Sequence, residues 1–170
     1  MTTTNTIRSE KPANRIRILE IDSSSPRLLA STRRLFIEYA ESLHFNLCFQ
    51  NFNDELANLP VAYSPPTGRL MVAKVERSIA GCVALHALSP TICEMKRLYV
   101  RPNFRGIGLG RVLAEKVVDA ARDIGYASMR LDTIDTMVSA IELYRSMGFT
   151  EIPAYRPNPI IGALYMELQL

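Results

Sequence analysis

No stretch of this 170-residue chain approaches the roughly 20 apolar residues of a membrane-spanning helix, which excludes a helical span and leaves no reason to expect a membrane partner. Cysteine is sparse. Cys48, Cys82 and Cys93 are odd in number and form no Cys-x-x-Cys pair, so neither a disulfide framework nor a cysteine zinc site is indicated, and a reducing cytoplasm fits best. The two histidines, His44 and His86, stand alone without ligand spacing, and each reads as structural, so no metal is expected. Positive charge is not concentrated anywhere. A net charge of +3, spread along the chain, gives no argument for nucleic acid. There is also no internal repeat, low-complexity core or domain linker.

What is present is an ordinary globular composition, 48% hydrophobic and 22% charged, at a length that suits one domain. Met1 to Asn14 is polar and Thr-rich and reads as a flexible leader, with residues 15–170 as a single domain. Arg15 to Ile21 alternates like a first strand. Ser25 and Pro26 then start a helix carrying Leu28, Leu35, Phe36, Tyr39 and Leu43 at helical spacing. His44 to Gly68 mixes Phe45, Phe49, Phe52 and Tyr63 with Asn and Pro, and is expected to be a partly helical excursion lying over the domain. Leu70 to Val75, Ile79 to Leu88 and Ile92 to Val100 read as a three-stranded meander. A helix from Gly108 to Gly125, a strand from Ser128 to Thr133, a helix from Thr136 to Met147 and strands at Thr150 to Ile152 and Leu164 to Leu170 complete a mixed sheet.

Three glycines crowd into Arg105-Gly106-Ile107-Gly108-Leu109-Gly110, between the third meander strand and the following helix. Glycine there lets the backbone pass close to a ligand, and the helix start offers unpaired N–H groups and a positive dipole end to an anion. The run is not a Walker loop, because Arg111 and Val112 follow Gly110 where Lys and Ser or Thr are required. The dinucleotide fingerprint is weakened by Arg111 and Leu113 at its glycine positions, although Asp132 sits near the place of a ribose-binding acid. The loop also resembles that of class I methyltransferases, where Phe104 replaces their acidic residue.

Arg105-x-x-Gly108-x-Gly110 resembles the acetyl-CoA signature of the GNAT acetyltransferase superfamily. Glu94 to Pro102 looks like that family's fourth strand and turn, and Ala140 to Phe149, with Leu143-Tyr144 and Gly148-Phe149, looks like its signature helix. The resemblance implies an α/β single domain of α+β mixed-sheet type, with about seven mostly antiparallel strands, a splay between strands 4 and 5, and about four flanking helices. It implies acetyl-CoA as donor. The pantetheine arm would pair with the backbone of Leu98, Tyr99 and Val100, and the pyrophosphate would lie over Arg105, Gly106, Ile107, Gly108, Leu109 and Gly110, with Arg111 added. Many members carry Asn where this chain has Met137, so either a neighbour such as Ser139 substitutes or the arm is held by backbone alone.

Acetyl transfer to a lysine-like amine at pH 7 must overcome a protonation deficit of roughly 4 to 5 kcal/mol. By resemblance Glu94 is the expected base and Tyr144 the acid that protonates the departing thiolate, with Met137, Ile141 and Tyr144 facing the cleft. The acceptor is expected to be a small-molecule or peptide amine, walled by Phe45, Phe49, Phe52, Tyr63, the Pro65-Pro66 turn and the loop at Arg156 to Pro159. Arg69 and Arg156 read as solvated surface residues. The fold is compatible with a homodimer. A CoA-binding sensor without turnover and a methyltransferase are the alternative readings.

Overall fold

The computed structural model describes residues 16–170, residue 49 by its backbone alone, so the expected leader at 1–14 lies outside the described residues. The elements are β1 (Ile16–Glu20), α1 (Pro26–Ser42), α2 (Phe52–Ala57), β2 (Arg69–Val75), β3 (Ser78–Ala87), β4 (Ile92–Val100), α3 (Leu109–Ile124), β5 (Ser128–Ile134), α4 (Val138–Ser146), β6 (Thr150–Ile152) and β7 (Ala163–Gln169). Single helical turns at Cys48–Gln50 and Val61–Tyr63 flank α2, which makes the excursion partly helical as its composition suggested. No helix among the described residues is long and apolar enough to cross a membrane.

The strands form one seven-stranded sheet in the order β1-β2-β3-β4-β5-β7-β6. Every neighbouring pair is antiparallel except β4 and β5. Each face carries its own core. On one, α3 buries Leu109, Leu113, Val117 and Ala121 against Met71, Val83, Cys93 and Met95, with Tyr144 and Phe149 in the same cluster. On the other, Leu35 and Phe36 of α1, with Leu59 and Tyr63 of the excursion, cover Leu70, Val72, Cys82 and Tyr99. Each such fully buried large side chain contributes about 1.5–3 kcal/mol.

Helix ends follow the residues at them. Pro26 occupies the first position of α1, where its missing N–H costs nothing. Ser25 stands at the cap position without bonding through its side chain, while Ser24 donates to Asp22 instead. Gly125 ends α3 in the left-handed region at φ 98°, its N–H returning to the carbonyls of Ala121 and Arg122. The last helix is shorter than its sequence pattern, because Thr136 and Met137 remain outside it.

Two features of β4 shape everything near it. Its parallel pairing with β5 covers only Ile92, Cys93 and Glu94, opposite Ser128, Met129 and Arg130. Past that point β5 stays with β7 up to Ile134, and β4 stays with β3 up to Val100, so the two strands diverge. The second feature is a bulge: the β3–β4 register slips between Cys82 and Ala84, and Arg97 sits at φ 57°. Met95 and Tyr99 are four residues apart and would share a face in a regular strand. The bulge sends Met95 to the α3 side and Tyr99 to the α1 side.

Gly81 of β3 packs where this bend leaves no room. A Cβ there would lie 2.5 Å from the Tyr99 carbonyl oxygen and 3.2 Å from Leu113 Cδ1. Replacement by alanine is expected to cost about 1–3 kcal/mol through forced backbone movement. Urea unfolding of Gly81→Ala measures it, and an unchanged midpoint would contradict the packing described.

Candidate active site

Where β4 and β5 part, the β4 edge carries peptide groups that β5 does not use. Arg101 N–H bonds to Ala80 O, so alternation along the antiparallel ladder turns the groups of Val100 toward the open edge. The Val100 carbonyl already receives a bond from Arg105 Nε at 3.0 Å. Leu98, two residues back, lies beyond the bulge and shares that edge. Tyr99, between them, turns its peptide groups toward β3 and its ring to the α1 side, 6.0 Å from Tyr39, so it gives the open edge nothing, which corrects its expected part in holding the arm.

The glycine loop is exposed at Arg105, Gly106, Ile107 and Gly108. Gly106 (φ 79°) and Gly108 (φ 81°) are left-handed, and a Cβ on either would meet nothing within 4 Å. The space above the loop is therefore open, and backbone conformation rather than crowding requires these two glycines. Leu109 is buried in the core and contributes backbone alone. The first turn of α3 contains no acidic side chain and no side-chain cap, so its leading N–H groups and positive dipole end remain available to an anion. Arg111 donates to Ser146 Oγ at 2.6 Å and lies 3.5 Å from Glu115 on the exposed helix surface. Ser139 is exposed near the start of α4.

A cavity of about 90 Å³ occupies the divergence, lined by Lys96 and Leu98 of β4, Asp132 of β5, Tyr144 of α4, Phe45 of the excursion and Asn158 of the β6–β7 loop, among others. Met137, Ala140 and Tyr144 line it, whereas Ile141 is buried away from it, which corrects the expected cleft face of α4. Tyr144 is 7% exposed with its ring 5.7 Å from Phe149, and burial raises its phenol pKa further above neutrality, so the hydroxyl stays protonated.

Glu94 differs most from expectation. Its carboxylate is completely buried at the last paired position of β4, and all its donors are protein groups. Tyr155 OH donates at 2.6 Å, His86 Nε2 at 3.0 Å, and Arg156 reaches both oxygens at 3.0 and 3.2 Å. Burial alone would raise its pKa, but the His86 hydrogen bond, the Lys96 and Arg156 charges and the Tyr155 hydroxyl outweigh it and hold the group at about 2. A carboxylate so engaged is a poor proton acceptor at neutral pH. Through these bonds Glu94 fastens the β6–β7 loop to the sheet, an environment unlike that expected of a base.

Arg156 is likewise not a solvated surface residue. It bridges Glu94 and Asp132, the latter at 2.7 Å, and Asn158 adds a bond of 3.2 Å to the same Asp132. On the opposite side Arg97 forms a two-pronged pair with Glu55 at 3.0 and 2.5 Å, and Tyr63 OH donates to the same carboxylate. Arg97 also donates to Gln50 at 2.9 Å and lies 5.2 Å from the Phe52 ring centroid. Sequence reasoning missed this network. Its visible signal was the charged set Glu94, Lys96 and Arg97 within a strand; the partners lie 42 and 47 positions from Arg97 and 62 from Glu94 and carry no local motif. Pro65 and Pro66 do not wall the cavity but line a separate groove beside Tyr126. Arg69 remains at the surface near Glu20. Burial pushes the Cys93 thiol up to about 12, which leaves it without nucleophilic character.

The depressed Glu94 pKa carries a pH signature. The group's ordinary value is 4.5, so its stabilisation is complete above that pH and is lost as pH falls toward about 2. The stability gap between wild type and Glu94→Gln should therefore shrink steadily when urea unfolding is repeated at pH 7, 4.5 and 3. A gap as large at pH 3 as at pH 7 would show that the carboxylate is not held ionised.

This combination of diverging strands, open β4 edge and glycine-led helix has counterparts. The family model described as the acetyltransferase (GNAT) family matches residues 29–149. An uncharacterized N-acetyltransferase of Schizosaccharomyces pombe is 44% identical over 147 residues, covering 85% of this chain and 90% of its own length. An IAA acetyltransferase of Azospirillum brasilense is 34% identical over 109 residues, covering 62% of this chain and 70% of its own. In fold, an acetyltransferase from Streptococcus agalactiae superposes with a TM-score of 0.75 at 22% identity, over 91% of this chain and 98% of that one. A GNAT family acetyltransferase from Elizabethkingia anophelis, solved with acetyl-CoA bound, gives 0.66 at 19% identity, over 93% and 100%. The model spans the excursion, the splayed strand, the glycine loop and the Tyr144 helix together, and the chain belongs to the GNAT acetyltransferase family.

Proposed function

We propose that the protein transfers an acetyl group from acetyl-CoA to the amine of an acceptor by direct attack. The observation that carries this reading is the unpaired β4 edge running into the open glycine loop, with a protonated tyrosine across the same cavity. The residues fit the donor. The backbone at Leu98 and Val100 would accept the pantetheine arm as an added strand, and the N–H groups of residues 106–110 would take the pyrophosphate. Arg105 and Arg111 stand at the exposed rim of that loop and would add charge. Ser139, exposed at the start of α4 two residues from Met137, would offer its hydroxyl to the arm.

In this reading the acceptor nitrogen attacks the thioester carbonyl carbon, a C–N bond forms and the C–S bond breaks. The amine first gives its ammonium proton to solvent; the thiolate that leaves takes the Tyr144 proton, the proton shed by the new amide nitrogen returns through water to Tyr144, and the N–H of Leu98 polarises the carbonyl. Tyr144 suits that task because its burial favours the neutral hydroxyl. Asp132, oriented by Arg156 and Asn158, is the carboxylate that lines the cavity and faces the amine. Holding amine and thioester in register supplies up to roughly 7 to 11 kcal/mol of the barrier reduction.

Tyr144→Phe should lower kcat by about a hundredfold or more while CoA still stabilises the variant against heat. Thiol release from acetyl-CoA, followed with an amine panel, reads the first quantity and a melting curve the second. Gly108→Val should do the reverse, abolishing CoA-induced stabilisation because valine resists the left-handed backbone and projects into the space above the loop. An unchanged kcat in Tyr144→Phe would remove the proton-donor role.

A further inference from the structure

Lys96, Arg97 and Asp132 line the cavity, and Glu55, Glu94 and Arg156 stand directly behind them, so the wall and its backing together hold three cations and three carboxylates. Two of the cations are matched at short range. Arg97 pairs with both oxygens of Glu55, and Arg156 lies between Glu94 and Asp132. Lys96 is different: it lines the cavity, it is half-buried, and among the described residues it makes no ion pair and no hydrogen bond through its side chain. Its desolvation and the adjacent Arg97 guanidinium destabilise its charged form, and the Glu94 and Glu55 carboxylates offset this only from a distance. An ammonium held in that way is open to pairing with an anion that enters the cavity.

The whole wall is close to neutral, and this restricts what can enter. An acceptor bearing only an ammonium would add an uncompensated positive charge, whereas one that also bears a carboxylate adds none. Asp132 and Lys96 stand on the two diverging strands, so an amine and a carboxylate on one small molecule would each face its opposite charge.

We infer that the acceptor is a small amine that also carries a carboxylate, and that Lys96 holds that carboxylate while Asp132 faces the amine. The inference rests on the transferase reading and narrows its substrate class. The carboxylate is bound and unaltered in the reaction. Lys96 acts on specificity, not on the bonds made and broken.

The test uses the full chain with acetyl-CoA and measures thiol release with glycine, β-alanine, 4-aminobutyrate and the standard amino acids, each beside its primary amide. For the best acceptor, kcat/KM should exceed that of its amide by roughly ten- to a hundredfold, the range of one charge-assisted hydrogen bond. Lys96→Met should bring that ratio near one, mainly through KM, and Lys96→Arg should restore most of it. Stabilisation of each variant by CoA reports that the fold and donor site survive, and the acid-to-amide ratio of the wild type stands as a test without any variant. Release that is equal for acids and amides, or a ratio unchanged in Lys96→Met, overturns the inference and leaves the transferase intact. Stabilisation by CoA with no acceptor-dependent release from any pair overturns both.

Discussion

Three residues of parallel pairing decide the architecture of the site. β4 and β5 hold together from Ile92 to Glu94 and then separate, because β5 keeps its partner β7 and β4 keeps its partner β3. An unpaired peptide edge inside a sheet is costly unless something bonds to it. The divergence therefore creates at once a slot for a chain-like ligand and the cavity beside it. Glu94 stands at the closing point of the pairing, and its buried carboxylate ties the β6–β7 loop to the place where the strands part.

The bulge at Arg97 does the complementary work. By shifting the strand's phase it keeps Leu98 and Val100 packed toward α3 while Glu55 and Gln50 of the excursion engage Arg97 from the other side. One strand thus presents backbone to one side of the cleft and charge to the other. The buried pair of Arg97 and Glu55 gives little net stability, since desolvation offsets much of its attraction, but removing either partner alone would strand a charge. Its consequence is positional: it fixes the excursion, and with it Phe45, against the sheet.

Much of this was legible in the chain. Helix α3 and its two glycine ends followed from apolar spacing and from glycine's tolerance of positive φ, and the meander followed from its period of two. The left-handed turns at Gly106 and Gly108 and the open β4 edge were readable for the same reason: they are backbone conformations, and glycines and strand ends encode those locally. Tyr144 was placed correctly on the cavity by its helical spacing within a recognisable motif. Glu94 was read at the right position without its surroundings, because its chemistry is set by His86, Tyr155 and Arg156, none of which is near it in a way that sequence spacing reveals.

The sequence alone therefore determined the strand-to-helix grammar, the family and the glycine loop that opens α3, since each depends on local backbone preference and short-range periodicity. Tertiary structure alone decided which charges meet. Arg156 against Glu94 and Asp132, Arg97 against Glu55, and Lys96 against no partner among the described residues arise from loops separated by tens of residues folding over one diverging strand. Ionisation and specificity depend on distance and burial in space, and neither quantity is written in the order of the residues.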